Sequence, residues 1–282
     1  MKKLTVTLCL GLILQWASTA GAVLIDPYDN FLAADGVYGL LYGNYYHAGE
    51  LTDSGGDKLA DIDLTAKVSL LRGIGYFHTG KVPLALQVII PFGEVKETKL
   101  LNEKSSGLGD IVFGPGVFLY ADQDHHTYLS YWFYTYAPTG KWNPNQAINL
   151  GQNHWYFQHQ LAVSKMIGRV VGDLNLNYYH HSEESDNNFQ APPRFEVEAS
   201  LAYQVNDSLI VGLNGGGYWD RDDGEVNGIS VADTKLKRVQ LGPSLAYNFT
   251  PKFGMNLRWT KDISSANDTK GDDVWLRLAY SF

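Results

Sequence analysis

The chain has 282 residues, 45% of them hydrophobic and 13% aromatic, with a formal charge of −8 and a mean hydropathy of −0.19. The acidic balance argues against nucleic acid as a partner, since phosphate binding needs a basic stripe. The low hydropathy excludes a bundle of membrane helices but allows a barrel with one lipid-facing and one wet face.

The chain opens on Met1-Lys2-Lys3, an apolar run over 4–14, and Ser18-Thr19-Ala20-Gly21-Ala22. A basic start, a short hydrophobic stretch and a small-x-small exit predict a secretory signal peptide over 1–22, cleaved after Ala22. The run is too short to span a bilayer, and no later stretch is long and apolar enough to do so as a helix. Loss of Lys2 and Lys3 takes the charge to −10, and loss of Cys9 removes the only cysteine. The mature chain, 23–282, is then a single domain without disulfides, thiol nucleophile or thiolate metal site.

Twelve strand-like segments follow, over 36–48, 61–77, 82–95, 108–121, 126–138, 153–166, 169–182, 194–206, 208–220, 236–250, 252–262 and 272–282. Several alternate sharply. Phe195, Val197, Ala199, Leu201, Tyr203 and Val205 oppose Arg194, Glu196, Glu198, Ser200 and Gln204. Val239, Leu241, Pro243, Leu245, Tyr247 and Phe249 oppose Arg238, Gln240, Ser244 and Asn248. Side chains alternate across a strand, so each segment has one apolar and one polar face. A soluble sandwich also allows such strands; the connections discriminate. Tight turns alternate with long loops at 49–60, 96–107, 139–152, 183–193, 221–235 and 263–271. That rhythm predicts an all-β fold: an antiparallel transmembrane β-barrel of about twelve strands, with short periplasmic turns and long extracellular loops. Ten or fourteen strands remain compatible with it. Aromatic pairs near strand ends, such as Tyr45 and Tyr46 or Tyr178 and Tyr179, fit interfacial girdles. The last strand alternates to a terminal aromatic. Tyr280 and Phe282 resemble the assembly signal of outer-membrane barrels, which implies the barrel-assembly machinery as a partner beside outer-membrane lipid.

With the apolar faces in lipid, the lumen inherits Asp63, Lys67, Asp173, Arg194, Glu196, Glu198, Arg238, Arg258, Arg277 and Trp275, with Tyr156 and Tyr179 as further ring candidates. Arg238, Arg258 and Arg277 come from three consecutive strands and form one arc of wall. Opposed charges in a narrow wet pore can orient a polar or anionic solute and set ion selectivity. The same charges could instead pair with one another and fill the barrel. Enzyme readings have little support. There is no Gly-x-Ser-x-Gly elbow, His-Glu-x-x-His helix or Walker-type loop, and Asn153-His154 lacks the context of an outer-membrane phospholipase. The neighbouring histidines His125-His126 and His180-His181 point to opposite strand faces and make no chelate by themselves. No cofactor or metal is expected.

Some stretches carry a family resemblance. They are Gly107-Leu108-Gly109-Asp110 leading into Phe113-Gly114-Pro115; Pro138-Thr139-Gly140-Lys141; Asn149-Leu150-Gly151-Gln152-Asn153-His154-Trp155; and Leu241-Gly242-Pro243-Ser244, together with the closing strand. From about Asp35 to Phe282 the chain resembles the meta-pathway phenol degradation family of outer-membrane β-barrels. The resemblance implies localisation in the outer membrane and uptake of small hydrophobic or aromatic solutes. It assigns no binding residues. Two readings stand at this point: a channel or facilitator for small solutes, and a non-conducting barrel with a structural or partner-binding role.

Overall fold

The computed structural model describes residues 25–282; the expected leader at 1–22 lies outside them. The strands, in order, are β1 (Gly36–Thr52), β2 (Lys58–Thr79), β3 (Val82–Glu97), β4 (Glu103–Leu108), β5 (Ile111–Asp122), β6 (Thr127–Ala137), β7 (Tyr156–Ile167) and β8 (Val170–His181). There follow β9 (Phe189–Gln190), β10 (Arg194–Gln204), β11 (Leu209–Asp220), β12 (Glu225–Val226), β13 (Ile229–Ser230), β14 (Lys237–Thr250), β15 (Phe253–Ala266) and β16 (Thr269–Ser281). Strands β9, β12 and β13 form a small separate sheet within the long loops. The other thirteen form one antiparallel sheet in which β1 pairs with both β2 and β16. Both β4 and β5 pair with β3 as one interrupted stave, so the closed barrel has twelve staves. Closure leaves no unpaired sheet edge, the condition for a sheet to stand in hydrocarbon.

Five tight connections, at 80–81, 123–126, 168–169, 205–208 and 251–252, lie at the end of the barrel shared by the start of β1 and the end of β16. The two-residue turn after Ile167 needs a left-handed residue, and Gly168, at φ +61°, supplies it. The opposite end differs from expectation. Three connections stay long, at 138–155, 182–193 and 221–236, but the others shrink to 53–57, 98–102 and 267–268. There the strands continue as hairpins beyond the predicted span. The polar sequence of 263–271 looks like a loop, yet Asn267 accepts a left-handed φ of +50° and closes β15–β16 in two residues.

The alternation seen in the sequence sets the facing of the staves. Phe195, Leu201 and Tyr203 on β10 point outward and are exposed, while Arg194, Glu196, Glu198 and Ser200 are buried inside. Outward Leu, Val and Phe side chains recur on almost every stave. Such a continuous exposed apolar belt is untenable in water and suits a lipid environment. Rings mark one border of it: Phe133 and Phe157 stack at 6.0 Å, Tyr178 and Phe195 approach to 5.1 Å, and Phe195 and Trp219 to 6.4 Å. In each of the neighbouring pairs Tyr45/Tyr46 and Tyr178/Tyr179 only one member joins the outer belt. Tyr45 is exposed, whereas Tyr46 is buried in the lumen.

Candidate functional site: the barrel lumen

The lumen wall is polar, and most of its charge is already partnered. Arg194 holds Asp220 in a two-point ion pair, Nε–Oδ1 2.7 Å and Nη2–Oδ2 3.2 Å, and lies over the Tyr218 ring at 4.2 Å. Arg238 pairs with Asp268, sits 3.9 Å from Asp262, and donates to the Thr269 hydroxyl at 2.7 Å. Those partners come from the wall itself.

Arg258 and Arg277 are neutralised differently. The segment before β1 runs inside the barrel, with Ile25, Asp26 and Asn30 buried. Arg258 donates to the Ile25 carbonyl at 2.8 Å and to Asp26 at 3.0 Å. Arg277 pairs with Asp26 at 3.3 Å and with Asp29. On the facing wall the Asp173 carboxylate accepts from the backbone N–H of Tyr28 (2.9 Å) and Asn30 (3.4 Å), and the Asn30 amide donates to Asn175 at 2.9 Å. Asn214 on β11 donates to the Ile25 carbonyl. The segment thus bridges β8, β11, β15 and β16 through ion pairs and hydrogen bonds. A few apolar contacts add to these, including Phe31 against Tyr128 at 4.7 Å. Below it the periplasmic vestibule opens as a cavity of about 1090 Å³ bordered by Tyr28, Phe31, Tyr128, Asn256 and Arg277.

The other end of the lumen is closed by the connection between β6 and β7. Its Ile148 and Leu150 are buried in a cluster with Tyr46, Leu64, Val95, Tyr218 and Leu236. The residues that carried the family resemblance meet here. The Asp110 carboxylate, in the break between β4 and β5, accepts from the N–H of Gly140 (2.9 Å) and of Gln152 (2.8 Å). The Thr139 hydroxyl accepts from the Ile111 N–H at 2.9 Å, and Lys141 N–H donates to the Leu108 carbonyl at 2.8 Å. Gly140 and Gly151 touch backbone to backbone: a Cβ on Gly140 would fall 2.6 Å from the Gly151 Cα and 2.8 Å from the Gly109 carbonyl carbon. Glu103 fixes the loop's inner turn by accepting from Ala147 (2.8 Å) and Ile148 (3.1 Å). His154 Nδ1 donates to the Gln152 carbonyl at 2.8 Å, which leaves Nε2 as acceptor toward His181 Nδ1 at 3.1 Å. Burial pushes His154 down to about 4, so it is neutral at neutral pH.

Between these two closures the wall is lined by carboxylates, amides and rings. Glu198 accepts from Asn175 (2.9 Å) and Asn177 (3.2 Å), and Glu196 accepts from the Tyr179 hydroxyl at 2.6 Å. Tyr156 stacks on Tyr136 at 4.0 Å and on His181 at 5.2 Å. Trp275 is buried, its Nε1 donating to Asp273 at 2.9 Å.

Of the residues expected in the lumen, Asp173, Arg194, Glu196, Glu198, Arg238, Arg258, Arg277, Trp275, Tyr156 and Tyr179 face it. Asp63 and Lys67 do not. Both point outward, exposed, while Ile62, Leu64, Ala66 and Val68 point in. The rule that polar means luminal reverses on this part of β2. There the inner face packs on the 148–150 turn, and the outer face carries the polar groups Asp63, Thr65 and Lys67 beside Glu94 and Lys96. Sequence reading also missed Arg72, Asp26 and Asp29. The acidic run Asp26-Pro27-Tyr28-Asp29 ahead of β1 was a usable signal, since luminal arginines need counter-charge. Arg72 was hidden on a strand with little alternation around it.

Solved structures with a similar fold are outer-membrane barrels. The COG4313 outer membrane channel from Pseudomonas putida F1 aligns over 92% of this chain and 100% of its own, at TM-score 0.85 and 22% identity. The translocator domain of the autotransporter NalP from Neisseria meningitidis aligns over 89% and 90%, at TM-score 0.52 and 12% identity. The β domain of the Bordetella autotransporter BrkA aligns over 89% and 100%, at TM-score 0.50 and 10% identity. No curated protein matches the chain in sequence. The sequence profile of the family described as "Putative MetA-pathway of phenol degradation" matches residues 48–278. The chain, an outer-membrane β-barrel, belongs to that family.

Proposed function

We propose that the chain is a narrow outer-membrane channel for small solutes, hydrophobic or aromatic compounds among them, closed at rest by its own N-terminal segment and by the 138–155 loop. The observation that carries this reading is the source of the counter-charge for Arg258 and Arg277. A barrel built only to be filled can neutralise its arginines from its own wall, as Arg194–Asp220 does. Here two of them are neutralised by a segment that precedes the first stave. The segment shares no strand ladder with the sheet, so it can leave without unfolding it, water entering the lumen to solvate Arg258 and Arg277 in its place. The Pseudomonas channel with the same fold and the phenol-degradation family name both support the reading.

Planar-bilayer recording on the refolded protein tests it. The intact chain gives small discrete steps, and a variant lacking 25–34 gives steps several-fold larger. If both stay silent while heat-modifiable gel migration reports a folded barrel, the channel reading is replaced by the non-conducting one.

A further inference from the structure

Five arginines line the lumen, and four have carboxylate partners. The fifth, Arg72 on β2, has none among the described residues. Its one hydrogen bond runs from Nη1 to the Tyr42 hydroxyl at 3.3 Å, and its Nε is shielded from solvent without any acceptor. A shielded Nε without an acceptor carries a desolvation cost that a ligand oxygen can relieve. The surroundings are rings. Tyr42, Tyr76 and Tyr134 lie around Arg72. Tyr42 meets Trp275 edge to face at 6.3 Å, and Tyr134 stacks with Trp132 at 6.3 Å. Tyr134 also lies in the field of Glu198. One cation with an unmet donor, aromatic rings near it and a carboxylate beyond them therefore meet on one stretch of lumen.

We propose that Arg72 is the anchor of a binding site for small aromatic monocarboxylates, the guanidinium taking the carboxylate and the tyrosine and tryptophan rings taking the aromatic body. The planar fork of arginine matches a carboxylate at two points, and ring faces favour an aromatic over an aliphatic body. Glu198 disfavours a second carboxylate on the same ligand, so monoacids bind better than diacids. This names a substrate class for the channel proposed above and rests on that reading for its biological use, though not for its chemistry.

Isothermal calorimetry with benzoate on the detergent-solubilised full-length barrel tests the site without requiring conduction. Benzoate binds the intact protein, while benzyl alcohol, cyclohexanecarboxylate and terephthalate bind more weakly. Arg72→Gln, which keeps a hydrogen-bonding side chain but not the charge, weakens benzoate by about tenfold or more; Arg72→Lys retains part of the affinity. Heat-modifiable migration on gels verifies that each variant is folded. Equal benzoate affinity in Arg72→Gln, or no binding to the intact protein at millimolar benzoate, overturns the site and leaves the channel reading untouched. Benzoate binding by a barrel that never conducts leaves the site standing and overturns the channel reading instead.

Discussion

Single residues show where polarity is informative and where it misleads. A charged residue on an alternating strand marks the wet face, and for Arg194, Glu196 and Glu198 that face is the lumen. On the upper part of β2 the same logic assigns Asp63 and Lys67 to the wrong side, because the medium around the strand changes along its length and the sequence does not record where. Counter-charge was legible only in part: the arginines stood out, but Asp26 and Asp29 lie far from them in the chain and meet them only through the fold. Glu184 offers a residue-scale prediction in the extracellular 182–193 loop. Its carboxylate accepts from the Asn187 amide at 2.8 Å, and burial pushes it from 4.5 to about 7. The native loop therefore holds this proton more tightly than an unfolded one. Its stability is full below 4.5, falls as pH rises toward about 7 and then levels off, by up to about 3 kcal/mol in all. Hydrogen exchange of the 184–190 amides, corrected for intrinsic rates, should lose protection between pH 5 and 8. Glu184→Gln should flatten that dependence; an unchanged profile in the variant would show that the carboxyl does not govern the loop.

At the scale of elements, the motif residues and the structure explain one another. Gly109, Asp110, Gly140, Gly151 and Gln152 carry the family resemblance, yet nothing in the linear order says that they touch. They are the crossing at which the β6–β7 connection turns back over the broken stave, and the close Gly140–Gly151 approach leaves no room for a side chain. The extended loop of the sequence reading is in fact an ordered inward fold with an apolar tip. Asp110→Ala leaves the half-buried Gly140 and the buried Gln152 N–H groups without this acceptor, a loss of about 1–3 kcal/mol for the buried one and less for the other. Trypsin should then cut after the exposed Lys141 far faster than in the intact protein, while Asp110→Asn, which keeps one acceptor, should fall between. The staves themselves should remain resistant. Equal cleavage rates in all three proteins would remove Asp110 from the loop's support.

At the scale of the whole molecule, the barrel was legible because its physics is periodic. Alternation, tight turns and an even stave count repeat along the chain, and ten of the twelve expected segments end within about two residues of tight turns or strand ends that the fold displays. What closes the barrel was not legible, because neither closure is periodic: one is a short segment ahead of β1 and the other a single irregular connection. A lumen occupied at one end by the N-terminal segment and at the other by the 138–155 loop leads to a prediction that separates them. Asn30 and Asn175 hydrogen-bond across the lumen, and residues 25–282 contain no cysteine to interfere. In the double variant Asn30→Cys, Asn175→Cys, a short thiol-specific cross-linker cleavable by reductant ties the N-terminal segment to β8. Cross-linked protein should pass only the smallest current steps, and reductant should restore the steps of the uncross-linked double variant within the same bilayer. In the Asp110→Ala background the cross-link should still dominate, since freeing the outer loop leaves the inner closure in place. Full-size steps from the cross-linked barrel would mean that solute passes beside a seated segment, and the gate would then have to be sought at the outer loop alone.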